Sequence, residues 1–189
     1  VMDDMLPPVV NEEKPDNTFI WNAAYVRGGE ISKKVSERLG GTFKSMSYTG
    51  EKDTQHADKK TLFEIQNKSK YFVYPLVSHD ASVHKDTFAC CVAESLCMGV
   101  HVITWPIACM PEIYGEEGKG CHFIKIPDNF NKEALQNYDH ISEPNLLTDQ
   151  AINSIIETVK SIGDQKVDVE YWREKFNSSK VIEQWDSIL

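Results

Sequence analysis

Short apolar runs alternating with amphipathic stretches constrain this chain more than any other feature. Residues 18–24, 42–48, 71–75, 100–104 and 122–126 are each a few residues long and rich in β-branched or aromatic side chains, the pattern of buried strands. Between the first two, Ile31, Val35 and Leu39 recur every four residues. Lys33, Lys34, Glu37 and Arg38 take the other faces of that helix, and Gly40-Gly41 stands where it must stop. Further helices are expected over 58–68, through Leu62, Phe63 and Ile65, and over 87–98, closed by Gly99. Parallel strands need crossover helices, so this alternation implies an α/β domain with a doubly wound (Rossmann-like) parallel sheet and helices on both faces. Beyond residue 126 the strands stop, and 148–162, 169–176 and 180–189 read as helices, the last two carrying Trp172 and Trp185. Residues 1–17, with Pro7, Pro8 and Pro15, are expected to be a linker or arm. Residues 18–165 form the sheet domain, and 166–189 are C-terminal helices that pack on it or on a missing N-terminal domain.

Composition narrows the function. A chain of 189 residues buries a full hydrophobic core without staples. Lys+Arg 20 against Asp+Glu 29 leaves a net charge of −9, which excludes non-specific attraction to a nucleic-acid backbone or an anionic membrane. Any phosphate must therefore be held by a few local groups. The apolar runs are too short to span a bilayer. Cys90, Cys91, Cys97, Cys109 and Cys121 are odd in number and crowded into apolar stretches, which fits a reducing, cytoplasmic setting rather than a disulfide framework. The chain opens at Val1 with neither an initiator Met nor a signal core, and it is expected to be a piece of something longer.

In a doubly wound sheet ligands bind beyond the carboxyl ends of the strands. After the first strand, Asn22 is followed by Arg27-Gly28-Gly29, which puts a guanidinium and two glycines at the start of a helix. A helix start and a guanidinium together suit a phosphate; the alternative is a plain turn with a solvated arginine. After the third strand, Asp86 and Glu94 lie eight residues apart, which on one helix is about 80° of rotation and ~12 Å of rise. Two carboxylates could thus line one groove. Asp86 reads equally well as the N-cap of a helix beginning at Thr87. Glu94 sits among Cys91, Val92, Ala93, Leu96 and Cys97, where a charge needs a partner or a ligand, and a carboxylate can accept from both hydroxyls of a ribose diol. No metal site is expected: there is no Asp-x-Asp after a strand and no His-Glu-x-x-His, and the histidines at 56, 79, 84, 101, 122 and 140 are scattered. Neither a Gly-x-Gly-x-x-Gly nor a P-loop follows the first strand.

The run Tyr71-Phe72-Val73-Tyr74-Pro75, then Asp86-Thr87-Phe88-Ala89 through Glu94 to Gly99-Val100-His101-Val102-Ile103, then Met110-Pro111-Glu112-Ile113, resembles the C-terminal, donor-binding domain of GT-B glycosyltransferases. It is most similar to the large retaining family, the glycosyltransferases of group 1, and the Arg27-Gly28 pair is similar to one of its subgroups. The resemblance implies one half of a GT-B architecture that transfers a hexose from a nucleotide diphosphate sugar, such as a UDP- or GDP-sugar, with retention and without a metal or other cofactor. Glu94 would hold the ribose diol, Asp86 would face the sugar, and Thr87 and Phe88 would offer backbone N–H groups to the diphosphate. Arg27 would neutralise the leaving diphosphate, making Arg27 and Asp86 the catalytic pair. Gly28, Asn22, Met110 and Pro111 would complete the donor site. The acceptor site would belong to the missing N-terminal domain, with Trp172 and Trp185 as docking residues.

The departures from the family pattern are Asp in place of Glu at 86, Asn22 where a basic residue often stands, and Ala108-Cys109 in place of Gly-Gly. They keep a second reading open, a non-catalytic nucleotide-sugar binding or interaction module. A third, a nucleotide-sugar epimerase, would want extra acids and histidines, for which His79 and His84 are the candidates.

Overall fold

A computed structural model describes residues 14–23, 28–47, 55–76, 88–125, 144–177 and 179. Six parallel strands, β1 (Thr18–Trp21), β2 (Thr42–Ser47), β3 (Gln55–His56), β4 (Tyr71–Tyr74), β5 (His101–Thr104) and β6 (Cys121–Phe123), lie in the order β3-β2-β1-β4-β5-β6. The doubly wound α/β class read from the alternation is what the chain adopts. It has one strand more than expected, because β3 is two residues long and carries no periodicity of its own. Every residue of β4 and β5 is buried, as strands covered on both faces must be.

The helices are α1 (Gly29–Arg38), α2 (Lys59–Asn67), α3 (Cys90–Cys97), α4 (Met110–Tyr114), α5 (Pro144–Ile162) and α6 (Val169–Lys175). The chain winds outward from β1 through α1 to β2, and in the opposite direction from β4 through α3 to β5. Right-handed crossovers in opposite directions put α1 and α3 on opposite faces of the sheet. The side chains agree. On one face Arg38 of α1 reaches Asp149 of α5 at 2.8 Å and Asn153 at 3.2 Å. On the other Gln66 of α2 donates to Ser95 of α3 at 3.2 Å.

Helix ends follow local chemistry where such chemistry exists. Asp58 caps α2 by accepting from the Thr61 N–H at 2.8 Å, and Asp168 caps α6 through the Tyr171 N–H at 3.0 Å. Gly40 and Gly99 take positive φ just past the ends of α1 and α3, as read from the sequence. Two boundaries differ from expectation. The third helix begins at Cys90 rather than Thr87, and α5 begins at Pro144 rather than at 148.

Trp172 is a core residue of this unit, not a docking residue for another domain. It is fully buried, its indole donates to the Lys119 carbonyl at 2.6 Å, and its ring stacks on Phe176 with centroids 5.8 Å apart. Arg173 on the same helix donates to the carbonyl of Cys97 at 3.0 Å, which ties α6 to the end of α3. Trp185 lies outside the described residues.

Candidate functional site

The order β3-β2-β1-β4-β5-β6 reverses direction between β1 and β4, which opens a crevice beyond their carboxyl ends, the position where such sheets take ligands. Asn22 leaves β1 into this crevice, and Gly28, at φ 117°, caps α1 on the same side. A φ in that range is available to glycine without strain. Both polar atoms of the Asn22 side chain are shielded from solvent and have no partner among the described residues. An unsatisfied buried amide costs about 1–3 kcal/mol, and a ligand group in the crevice would satisfy this one.

Three of the four non-glycine residues at positive φ among those described gather at the same edge; the fourth, Asn17, precedes β1. Leu76 (φ 60°), Ala89 (φ 51°) and Ala108 (φ 52°) are non-glycine residues in the left-handed region, and they follow β4, precede α3 and follow β5 respectively. Such residues persist only where their surroundings hold them, and they gather at ligand sites. Nothing in their identities signals this from sequence alone.

Ala89 is the N-cap of α3 and contributes no side-chain cap. This corrects the reading of Asp86 as cap of a helix beginning at Thr87. It also removes the helical spacing between Asp86 and Glu94, because the helix covers only the second of them. Asp86, Thr87 and Arg27 lie outside the described residues. Phe88 precedes the helix, so the backbone donors at the helix start are those of Ala89, Cys90 and Cys91 rather than Thr87 and Phe88. A left-handed residue followed by right-handed ones converges three successive N–H groups into a concavity that suits an anion.

Tyr114, on α4, holds that turn. Its ring is buried and its hydroxyl bonds to the carbonyl oxygens of both Phe88 and Ala89. In a trans peptide the N–H points opposite to the C=O, so fixing these two carbonyls also aims the N–H groups of Ala89 and Cys90 away from Tyr114. Burial pushes the phenol far above its ordinary range, so it stays a proton donor at every working pH. The Phe88 ring is 38% exposed and meets Phe176 edge-on at 5.7 Å.

Glu94 lies one turn into α3 with its side chain only 13% exposed. Burial raises its pKa, and Lys59, with Nζ 3.4 Å from Oε1, opposes that rise. Met110 is fully buried in the core, whereas Pro111 beside it is exposed in the first turn of α4. A ligand would meet Pro111 rather than the Met110 side chain. Among the described residues no group of three or more His, Cys, Asp and Glu is placed to hold a metal ion, and no helix is long and apolar enough to cross a membrane. The described positions that sequence reasoning singled out, Asn22, Gly28, Phe88, Glu94, Met110 and Pro111, all lie on segments that follow β1, β4 or β5. Lys59 and Tyr114 were missed, since neither stands in a motif and each acts through a contact distant in sequence.

No family model and no curated protein matches the chain by sequence. Among solved structures it is similar to the pneumococcal O-GlcNAc transferase GtfA in complex with UDP and GlcNAc, at 14% identity and a TM-score of 0.60, over 94% of this chain and 36% of that one. AviGT4, a glycosyltransferase involved in avilamycin A biosynthesis, matches at 11% identity and a TM-score of 0.44, over 87% of this chain and 53% of that one, a likeness too loose to argue from. The chain thus spans about a third of the GtfA chain, 36% of it. The likeness is one of fold: this α/β domain is built like part of a glycosyltransferase.

Proposed function

We propose that this chain is the donor-binding part of a glycosyltransferase that takes a hexose from a nucleotide diphosphate sugar. The observation that carries the reading is the crevice between β1 and β4. It is flanked by the unsatisfied Asn22 amide and the glycine cap of α1 on one side, and by the N–H concavity of α3 and the shielded Glu94 carboxylate on the other. In this reading Glu94 accepts from the ribose diol. The diphosphate lies against the N–H groups of Ala89, Cys90 and Cys91 and against Gly28, Asn22 and Arg27. Asp86 faces the sugar, and Pro111 borders the cleft. The bond from the anomeric carbon to the diphosphate oxygen breaks, and the acceptor hydroxyl forms the new bond with retention, its proton passing to the leaving diphosphate. The charge left on the diphosphate is neutralised by Arg27 and backbone donors without a metal. The acceptor site belongs to a further domain, so this chain alone binds donor and does not transfer.

GtfA was solved with UDP and GlcNAc, which makes UDP and its sugars the first probes. Calorimetry with a panel of nucleoside diphosphates and their sugars tests the reading. The expected result is binding by the wild type that weakens at least tenfold in Glu94→Ala and in Arg27→Ala. Absence of wild-type binding, or binding indifferent to both substitutions, rejects it. A second reading, a binding module without transfer, is favoured by Asp rather than Glu at 86 and by Asn22 in place of a base. It predicts the same binding, with no hydrolysis or transfer of the donor when the remainder of the protein is present.

A further inference from the structure

Glu94, with its side chain 13% exposed, is a shielded carboxylate at the crevice, and among the described residues Lys59, in the first turn of α2, faces it. We propose that Lys59 is a positioning residue for Glu94: its ammonium engages one carboxylate oxygen and holds the group as an anion, leaving the other oxygen to accept a ligand hydroxyl. This rests on the donor-binding reading and adds to it a residue that no motif contains.

Three observations support it. The contact is between elements that the sheet brings together from different crossovers. Lys59 belongs to the helix between β3 and β4 and Glu94 to the helix between β4 and β5, and the two helices are further fixed by Gln66 and Ser95. The lysine stem is itself placed, because its Nζ sits 5.8 Å from the centre of the Phe63 ring one turn along α2. Lys59 is 43% exposed, so it keeps its own hydration while the carboxylate it faces is mostly withdrawn from water. Burial alone would push Glu94 toward its neutral form, and a neutral carboxyl gives up part of its acceptor capacity toward a diol.

Among the described residues, the other titratable groups around α3 are committed elsewhere. Asp58 caps α2, the Tyr114 hydroxyl is bonded to the carbonyls of Phe88 and Ala89, and Arg173 of α6 is bonded to the carbonyl of Cys97 at the far end of the helix. His101, at the start of β5, is engaged with His122 and with the Gln165 carbonyl.

The test has two arms. In the first, the Glu94 side-chain carboxyl is followed by carbon-13 NMR as pH is lowered, without any ligand. Lys59→Met should move its titration to higher pH by about one unit, and Lys59→Arg should restore it. An unchanged titration in Lys59→Met overturns the proposal. In the second arm UDP affinity is measured from pH 8 to pH 5. Lys59→Met should bind like wild type at pH 8 and lose affinity at higher pH than wild type does, about threefold weaker at the midpoint between the two titrations and approaching tenfold below both. A loss of affinity equal at all pH values would mean a merely structural role and would also overturn it. Failure of the underlying reading looks different: Glu94→Gln would leave UDP binding unchanged, while the ligand-free titration would still report on Lys59.

Discussion

Gly40 and Gly41 are adjacent and serve unlike needs. Gly40 takes φ +64° with open space around it, so its role is conformational, the stop of α1. Gly41 has no room: a Cβ there would lie 2.4 Å from the Asn17 carbonyl oxygen, which itself accepts from the Thr42 N–H at 2.9 Å where β2 begins beside β1. Gly41→Ala should therefore destabilise the fold by about 1–3 kcal/mol, as overpacking against fixed backbone does. Gly40→Ala should cost less, about 1 kcal/mol, from a strained φ alone. Denaturant titration of both variants checks the order, and equal or reversed losses would contradict it. The stop signal was legible in the sequence because it is local chemistry. The close approach was not, because it is set by a strand pairing across Asn17. The same division holds at the crevice: Glu94 stood out as a charge among apolar neighbours, whereas its partner Lys59 did not.

At the scale of elements, α3 shows where local signals mislead. Asp86-Thr87 is a good start signal for a helix, yet the helix begins after Ala89, in a left-handed conformation that alanine does not favour. Contact from α4 outweighs local preference, since the Tyr114 hydroxyl holds the carbonyls on either side of that turn. A five-residue helix with Pro111 in its first turn has too little periodicity to be read as one. Tyr114→Phe keeps the ring and removes the donor. It should lower stability by about 1–3 kcal/mol and loosen the N–H concavity. Uridine affinity should be little changed, while UDP affinity should fall about tenfold, because only the phosphates meet those donors. Equal losses for uridine and UDP in isothermal titrations would show that Tyr114 supports the whole crevice and not the phosphate seat.

The molecule as a whole divides its chemistry between the two edges of the sheet. The carboxyl edge holds the crevice and three of the four non-glycine residues at positive φ among those described; the amino edge holds the fourth, Asn17, and a set of polar contacts. There Lys14 donates to the carbonyls of Gln66 and Met98 at 3.1 and 2.8 Å, and Lys70 pairs with Asp16 at 2.6 Å. His101 Nε2 faces the Gln165 carbonyl at 2.9 Å, and its Nδ1 faces His122 Nε2 at 3.0 Å. An imidazole that donates to a carbonyl and accepts from a second imidazole is neutral. Burial, then the neighbouring His122, bring the His101 pKa down to about 4 from 6.5. The unfolded chain therefore binds a proton that the folded chain refuses between these values. Stability should be full above pH 6.5 and decline as pH falls toward 4, by up to about 3 kcal/mol from this residue. His101→Gln retains a donor toward Gln165 and removes the titration, so its denaturation midpoint should depend less steeply on pH across that window. Its UDP affinity at pH 7.5 should match the wild type, because β5 separates the histidine pair from the crevice. A weakened UDP affinity at unchanged stability would show that the two edges are coupled through β5, and would refute their independence.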